Sequence, residues 1–321
     1  MPAGMEAASR SAGGAVRAAV VDLGTNTTRL LVCDVRDGEI AELERRTTIT
    51  RLGEGVDATG ELADAAKDRV RAALGEFRKL IDRHEVARTV AVATSAMRDA
   101  EDGDAFRAEI QERFGIAVVT ISGEEEARLT FRGATGGAHS GGDPTLVLDI
   151  GGGSTEYVVG AAGGQPEFDV STRAGSVRQT ERHLSDDPPA PESLQKLAAE
   201  VRELIAAEVP ERLLSGVESG IAVAGTATSL AAISQELEPY DPGRVDGFRL
   251  ELGEAERILA MLATLPVAER REVAGLHPDR APTIVAGAVI LVESTRAFGL
   301  DAMRVSEADL LHGAALEGAG A

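Results

Sequence analysis

The sequence predicts an α/β protein of two related domains, each a mixed sheet with flanking helices, around a central cleft. Two observations support this fold class. DLGTNTTRLLV at residues 22–32 reappears as DIGGGSTEYVV at residues 149–159, and strand-like segments alternate with helical ones after each copy. The expected division is a disordered tail at residues 1–15, a first domain at residues 16–135, a linker at residues 136–144 and a second domain at residues 145–321.

Hydrophobic spacing places the elements in order along the chain. In the first domain we expect strands at residues 18–35, 39–51, 90–93 and 117–121, and helices at residues 63–84, 103–114 and from residue 123 onward. In the second we expect strands at residues 145–150 and 221–224, a loop at residues 185–191, and helices at residues 194–214, 230–236, 280–298 and 307–316. The last helix is a candidate to pack back on the first domain.

The composition narrows the functional classes. The net charge of −20, from 33 basic and 53 acidic residues, disfavours nonspecific binding to nucleic acid and to anionic membranes. Cys33 is the only cysteine, so no intrachain disulfide can form, and no apolar stretch approaches the ~20 residues of a membrane span. We therefore expect a cytoplasmic protein without nucleic-acid or membrane partners.

Both copies of the repeat have the residues of a phosphate-binding turn. Asp22 and Asp149 lie where a strand ends, and a carboxylate there can hold Mg²⁺ directly or through its waters. Glycine lets the backbone adopt positive φ and approach an anion closely, and consecutive N–H groups form an anion-binding concavity. The expected phosphate-binding residues of the turns are Gly24, Thr25, Asn26, Thr27, Gly151, Gly152, Gly153 and Ser154. The alternative is two ordinary β-hairpins, and two copies in register weigh against it.

Two positions distinguish the copies. Asn26 is the only asparagine of the chain, which indicates a phosphate-binding or backbone-binding role, or else a left-handed turn. The eighth position is Arg29 in the first copy and Glu156 in the second. Arginine binds phosphate oxygens bidentately, and a glutamate opposite it can hold the metal or orient water. The alternative for both is a surface charge on neighbouring strands.

Three glutamates open the helix after Ser122. Ser122 and Glu125 fit an S-x-x-E capping box, which gives Glu125 a structural role. Of the other two we favour Glu126 over Glu124 as a general base for water, because a capping Glu125 folds back toward the helix start and leaves Glu126 pointing elsewhere. The helix dipole favours acids at all three positions, so a structural role is the alternative.

Two further segments are candidates for phosphate binding. Arg98 follows the strand at residues 90–93, at the same sheet edge as Asp22, and could be a second phosphate clamp; solvent exposure is the alternative. Gly225 and Thr226 stand between a strand and a helix, which is typical of a phosphate contact at a helix N-terminus. A plain tight turn is the alternative there.

The motifs occur in one order that resembles a known family. The segments are ATSAMR at residues 93–98, ISGEEEAR at 121–128, AGSVR at 174–178 and AGTAT at 224–228, besides the two copies of the repeat. Together, over about residues 18–317, they resemble the exopolyphosphatase and guanosine pentaphosphate phosphohydrolase family, within the actin, Hsp70 and sugar kinase superfamily.

The resemblance implies two ribonuclease H-like (actin-like ATPase) domains and a hydrolase dependent on Mg²⁺, or on Mn²⁺ in its place. The implied reaction releases terminal phosphate from inorganic polyphosphate or guanosine pentaphosphate, a nucleotide of the stringent response. The resemblance places the catalytic glutamate on Glu126 and a substrate-binding arginine on Arg98. With the repeat, it makes Asp22, Asp149 and Glu156 the expected metal ligands. A homodimer is expected by resemblance alone.

The chain departs from the family pattern in two respects. Thr25 replaces the usual serine of the first loop, and the hydroxyl is kept. Longer members add a helical C-terminal part, so we expect weaker processivity and a preference for shorter chains or nucleotides. The alternatives to an exopolyphosphatase are a guanosine pentaphosphate 5′-phosphatase, a sugar or acid kinase, and a non-catalytic polyphosphate or nucleotide sensor.

Overall fold

The computed structural model describes residues 14–136 and 143–320. The predicted tail at residues 1–15 falls almost entirely outside these ranges, and so does most of the predicted linker at residues 136–144. The domain boundaries therefore stay a prediction. Among the described residues, no helix is both long and apolar enough to cross a membrane.

The first half of the chain forms a five-stranded sheet with helices packed on it. Its strands are β1 (Val16–Leu23), β2 (Thr27–Arg36), β3 (Glu39–Ile49), β4 (Arg88–Ala93) and β5 (Val118–Thr120), in the order β3-β2-β1-β4-β5. Its helices are α1 (Val56–Thr59), α2 (Asp64–Arg83), α3 (Ser95–Asp99), α4 (Gly103–Phe114) and α5 (Gly123–Thr135). The helical spacing predicted for residues 63–84 is confirmed, since Val70, Leu74, Phe77 and Ile81 are buried in one cluster with residues of β1, β2 and β4.

The second half forms a six-stranded sheet. Its strands are β6 (Pro144–Ile150), β7 (Thr155–Ala161), β8 (Pro166–Thr172), β9 (Ser219–Val223), β10 (Arg249–Glu251) and β11 (Ala302–Val305), in the order β10-β11-β9-β6-β7-β8. Its helices are α6 (Ser176–His183), α7 (Pro191–Glu208), α8 (Glu211–Leu214), α9 (Ala224–Ser234), α10 (Pro242–Val245), α11 (Leu252–Thr264), α12 (Val267–Arg270), α13 (Ile284–Ala297) and α14 (Leu310–Gly318).

Helix boundaries account for the differences from the prediction. The helix expected at residues 194–214 is two helices, α7 and α8, because Pro210 cannot donate a backbone N–H and Val209 before it is extended. The helix expected from residue 307 begins at Leu310, where the Asp309 side chain accepts the Leu311 N–H and caps it. The helix expected from residue 280 begins only at Ile284.

The repeat in the sequence is also a repeat in topology. β1 pairs antiparallel with β2 and parallel with β4, and β6 pairs antiparallel with β7 and parallel with β9. In both sheets the first and eighth positions of the repeat are direct partners, Asp22 with Arg29 and Asp149 with Glu156. The predicted fold class, two mixed sheets with flanking helices, is confirmed.

Two helices lie between the sheets. α5 packs Phe131 against β6, β7 and β9 of the second sheet, and α14 packs Leu311 against β1 and β2 of the first. The two helices cross where their backbones meet at glycines: a Cβ on Gly313 would lie 1.8 Å from the Leu129 carbonyl oxygen. Because α5 lies between the two halves, its N-terminal residues face the space between the two sheets.

Candidate active site

The two repeat loops close in the same way. In the first, the Gly24 N–H donates to the Thr27 carbonyl at 2.9 Å, and in the second the Gly151 N–H donates to the Ser154 carbonyl at 3.0 Å. Each loop joins two antiparallel strands of its own sheet. Equivalent turns of the two halves therefore face each other.

The loop glycines are required by close packing. Glycine allows positive φ, but Gly24 and Gly151 to Gly153 do not use it, since none of them is among the described residues with positive φ. A Cβ on Gly152 would instead lie 3.0 Å from the Asn26 nitrogen, and one on Gly153 would lie 2.3 Å from the Ser95 Oγ. A side chain at either position would force a shift of its neighbour, so the glycines allow the second loop to lie close to the first loop and to Ser95.

Asn26 does not adopt the left-handed conformation that was the alternative for it, since it is not among the described residues with positive φ. Its backbone carbonyl accepts N–H bonds from Thr50 and Arg51, both at 3.0 Å. These bonds attach the first loop to the segment after β3. Because these bonds use the backbone carbonyl that every residue has, the predicted role of the Asn26 side chain stays a prediction.

A cleft lies between the loops, and its empty space, open solvent included, is about 750 Å³. The predicted site residues that line it are Asp22, Gly24, Thr25, Asn26, Thr27, Arg29, Glu126, Asp149, Gly151, Gly152, Ser154, Gly225 and Thr226. Arg98 and Gly153 line a neighbouring cavity, which shares Ser95 and Ser154 with the cleft. Glu156 is fully buried in β7 and lines neither.

Glu126 enters the cleft from the first turn of α5. The Ser122 Oγ accepts the Glu125 N–H at 3.1 Å, which is the serine half of the predicted capping box. Glu126 is 8% exposed, and its Oε2 has no hydrogen-bond partner among the described residues. The Arg98 Nη1 lies 3.6 Å from that oxygen. Glu124 is exposed and does not line the cleft, so the geometry favours Glu126 of the two.

Four carboxyl groups crowd this region. Burial raises the pKa of Glu126 well above its usual range, and the nearby Glu156 and Asp149 raise it further. Burial and Glu156 together raise the pKa of Asp149 to about 8. Burial also raises the pKa values of Glu156 and Asp22. Unpaired buried charges are costly, so this cluster binds either protons or a cation.

Unpartnered oxygens indicate where a cation would fit. The Asp22 Oδ1 and the Glu156 Oε2 are buried and, within the described part of the chain, accept no hydrogen bond. Mg²⁺ prefers such oxygen ligands, keeps several waters, and is often held by only one or two carboxylates. The described residues contain no group of three or more His, Cys, Asp or Glu side chains arranged to hold a metal. Water and substrate phosphates would have to complete a Mg²⁺ site here.

Arg29 and Arg98 are both partly engaged. The Arg29 Nη2 lies 2.7 Å from the Asp22 Oδ2, and the same guanidinium forms an ion pair with Asp309. Burial lowers the pKa of Arg29, but Asp309 and Asp22 outweigh it and raise the pKa overall. The Arg98 Nη1 donates to the Ile121 carbonyl at 2.8 Å. Phosphate binding by either arginine stays a prediction.

Arg280 is a residue of the cleft that the sequence analysis missed. It lies in the 3₁₀ turn Pro278–Arg280 and lines the cleft. Among the described residues its guanidinium has no hydrogen-bond or ion-pair partner, and burial lowers its pKa. It rests against Gly225, where a Cβ would lie 1.5 Å from the Arg280 Nη1. The glycine of AGTAT was the only sequence signal, because it leaves room for a side chain from a distant turn.

Comparisons with known proteins agree with this geometry. The model of the Ppx/GppA phosphatase family matches residues 31–319. The chain belongs to the Ppx/GppA phosphatase family. It is 38% identical over 317 residues to Exopolyphosphatase 2 of Mycobacterium tuberculosis, covering 95% of this chain and 99% of that protein. It is 31% identical over 296 residues to Exopolyphosphatase 1 of Mycobacterium bovis, covering 90% and 84%.

Solved structures of family members share the fold. A crystal structure of an exopolyphosphatase-like protein superimposes with a TM-score of 0.89 at 35% identity, covering 95% of this chain and 98% of that one. The Aquifex aeolicus Ppx/GppA family member gives a TM-score of 0.80 at 29% identity, covering 94% and 97%. The predictions of this family, of two actin-like domains and of a phosphoanhydride hydrolase are confirmed.

The metal-free protein should become less stable as the pH rises. Asp149 has an ordinary pKa of 3.8 when unfolded and about 8 in the fold, so the folded state binds the additional proton between these values. The contribution of Asp149 to the free energy of unfolding is therefore highest below pH 4 and falls as the pH approaches 8. Thermal unfolding in EDTA at pH 5, 6, 7 and 8 measures this. Added Mg²⁺ should reduce the slope, and a midpoint that rises with pH in EDTA would contradict the assignment.

Proposed function

We propose that the chain is an exopolyphosphatase that hydrolyses the terminal phosphoanhydride of inorganic polyphosphate with the help of Mg²⁺. One observation carries the proposal: Glu126 is buried in the cleft that both glycine loops line, and its Oε2, 3.6 Å from the Arg98 Nη1, accepts no hydrogen bond from the described residues. A carboxylate in that position can take a proton from water, whereas a kinase must leave room for a phosphoryl acceptor. The mycobacterial relatives are named exopolyphosphatases, which favours polyphosphate over guanosine pentaphosphate.

The loops and Arg280 would bind the end of the substrate. Backbone N–H groups of the two loops and the hydroxyls of Thr25 and Ser154 can donate to phosphate oxygens. Arg280 adds a buried positive charge that forms no ion pair among the described residues, although Glu307 is near enough to offset part of the lowering of its pKa by burial. Because phosphoryl transfer spreads charge over the equatorial oxygens, donors placed around them favour the transition state over the ground state.

Glu126 would orient and deprotonate the attacking water. Its raised pKa makes it a stronger base than an exposed glutamate, and the optimum for a general base lies near the working pH. One or two of the three predicted ligands, Asp149, Glu156 and the free oxygen of Asp22, would hold Mg²⁺, with water and substrate phosphate as its other ligands. When bound, the ion supplies positive charge at the phosphate and lowers the carboxyl pKa values of the cluster.

A phosphate-release assay tests the proposal. The protein is incubated with Mg²⁺ and short polyphosphate, long polyphosphate, guanosine pentaphosphate or ATP, each with an EDTA control. We expect phosphate from polyphosphate in Mg²⁺ and none in EDTA. Release from guanosine pentaphosphate alone would assign the nucleotide phosphatase instead. Binding without release from any substrate would identify a sensor.

Arg280→Gln should lower kcat/KM for polyphosphate about 10- to 100-fold, the value of one charge-assisted hydrogen bond. Gly225→Ala should have a similar effect, because its Cβ would occupy the place of the guanidinium. Steady-state phosphate release measures both variants. Arg249→Gln is the matched control, since Arg249 is 66% exposed and pairs locally with Glu251. Arg280→Gln with an unchanged kcat/KM would remove Arg280 from substrate binding.

A further inference from the structure

Arg178 joins the two halves of the molecule beside the cleft. It lies in the first turn of α6, within the AGSVR segment, and its side chain is only 7% exposed. Its Nε donates to the Gly153 carbonyl at 2.8 Å and its Nη2 donates to the Asp99 Oδ2 at 2.7 Å. Its Nη1 forms an ion pair with Asp57. One buried guanidinium thus has three partners, and all of its nitrogens are used.

The partners belong to different parts of the site. Gly153 is in the second glycine loop, whereas Asp57 and Asp99 lie on α1 and α3 of the first half. Two further, more exposed arginines approach these aspartates: Arg173 lies 3.3 Å from Asp57 and 3.5 Å from Asp99, and Arg182 lies 3.7 Å from Asp57. Arg178 is the member of this group that is shielded from water, so screening by salt weakens its contacts least.

The contact with Asp99 reaches the reacting groups through one short helix. Asp99 follows Arg98 directly, and both lie at the end of α3. Arg98 is 3.6 Å from the Glu126 carboxylate. At the start of the same helix, the Ser95 Oγ is hydrogen-bonded to the Thr25 Oγ1 of the first loop at 2.7 Å. Whatever fixes α3 against the second loop therefore fixes both loops and Arg98 together.

The backbone packs closely at the glycines beside these bonds. A Cβ on Gly153 would lie 2.3 Å from the Ser95 Oγ, and one on Gly175 would lie 2.2 Å from the Gly152 carbonyl oxygen. The Gly55 N–H donates to the Glu181 Oε1 at 3.1 Å, a second bond between α6 and the first half. The halves are therefore in a closed arrangement at this edge of the cleft.

We propose that Arg178, Asp57, Asp99 and the Gly153 carbonyl form a clasp that holds the cleft closed and sets the second glycine loop against α3. Arg178 is a positioning residue, because it acts through Gly153 and Asp99. Its kinetic effect rests on the proposed hydrolase, whereas its effect on closure does not. Without the clasp the closed arrangement is less populated, and apparent affinity falls with the competent fraction.

Three variants and one control separate the contacts. Arg178→Gln removes the charge and weakens all three bonds. Asp57→Asn removes the ion pairs of Asp57 with Arg178, Arg173 and Arg182 and leaves the bonds of Arg178 to Asp99 and to Gly153 intact. Arg178→Lys keeps the charge without the planar fork and should recover part of the loss. Arg202→Gln is the control, because Arg202 is a half-exposed arginine whose Glu293 partner lies in the same half.

Two readouts are compared for each variant. Hydrogen–deuterium exchange of residues 53–57 and 175–179, measured without substrate, reports opening of the clasp. Exchange should be about 5- to 100-fold faster in Arg178→Gln, less so in Asp57→Asn and Arg178→Lys, and unchanged in Arg202→Gln. On whichever substrate the wild type hydrolyses, Arg178→Gln should lower kcat and raise KM, and Asp57→Asn should mainly raise KM.

The outcomes decide the proposal independently of the hydrolase assignment. Unchanged exchange in a folded Arg178→Gln overturns the clasp. Faster exchange with unchanged kcat and KM overturns its positioning role. If Arg178→Gln does not fold, Asp57→Asn decides: faster exchange at residues 175–179 supports the clasp, and unchanged exchange overturns it. If the wild type hydrolyses nothing, the exchange measurements still decide the clasp.

Discussion

Replacing Glu126 with glutamine is expected to lower turnover about 10²–10⁴-fold, the usual contribution of a general base. Glutamine keeps the size and the hydrogen-bonding capacity of the side chain but cannot accept a proton from water. The variant should fold normally, and it should bind substrate at least as well, because one of the crowded negative charges is gone. Single-turnover phosphate release and equilibrium binding of polyphosphate separate the two effects.

Glu124→Gln is the matched control for this experiment. Glu124 lies in the same helical turn but is exposed and lines only the neighbouring cavity, not the cleft, so its loss should change turnover far less than the loss of Glu126. A pH profile adds a second check, since the rising limb that reports the base should disappear in Glu126→Gln. Wild-type turnover in a folded Glu126→Gln protein would remove Glu126 from the mechanism.

Asp149→Asn should have opposite effects on activity and on stability. Activity should fall about 10²–10³-fold, the effect of removing one electrostatic group from an active site. Stability of the metal-free protein at pH 8 should rise by about 1–2 kcal/mol, as is common when a functional site is relieved of strain. The charge that opposes folding is removed, and the asparagine carbonyl can still accept from the Thr130 hydroxyl, which lies 3.2 Å from the Asp149 Oδ2.

The stability gain should depend on pH and on metal. At pH 5 the wild-type Asp149 is protonated, because its pKa is raised to about 8, so the difference between variant and wild type should shrink there. Added Mg²⁺ should reverse the order at pH 8. Urea unfolding at both pH values measures this, with Asp104→Asn, at an 86% exposed side chain, as the control. If Asp149→Asn is less stable than the wild type at pH 8 in EDTA, the negative charge of Asp149 does not oppose folding.

The sequence predicted those features of the fold and the site that depend on residues close together in the chain. The buried face of α2 follows from helical spacing, and the paired hairpins follow from the duplicated motif. Glu126 was selected because Ser122 and Glu125 fitted a cap, and the cap is visible in its serine half. In each case the residues that decide the outcome are within one or two turns of one another.

Contacts between distant residues could not be predicted in this way. We expected Arg29 to bind a phosphate, but in this structure it forms an ion pair with Asp309, which is near the end of the chain. Arg280 reaches the cleft from a 3₁₀ turn without any motif of its own. The close packing of Gly152 and Gly153 against Asn26 and Ser95 exists only after both halves have folded.

The position of α14 bears on how the molecule is synthesised. It covers Val20 and Leu31 on a sheet whose last strand ends at Thr120, yet α14 begins only at Leu310. A nascent chain therefore carries the first sheet with one apolar face uncovered while the whole second sheet is translated. Such exposed surface invites aggregation and chaperone binding. If the two halves were expressed from two genes, the first sheet would be made without α14, the helix that covers its apolar face.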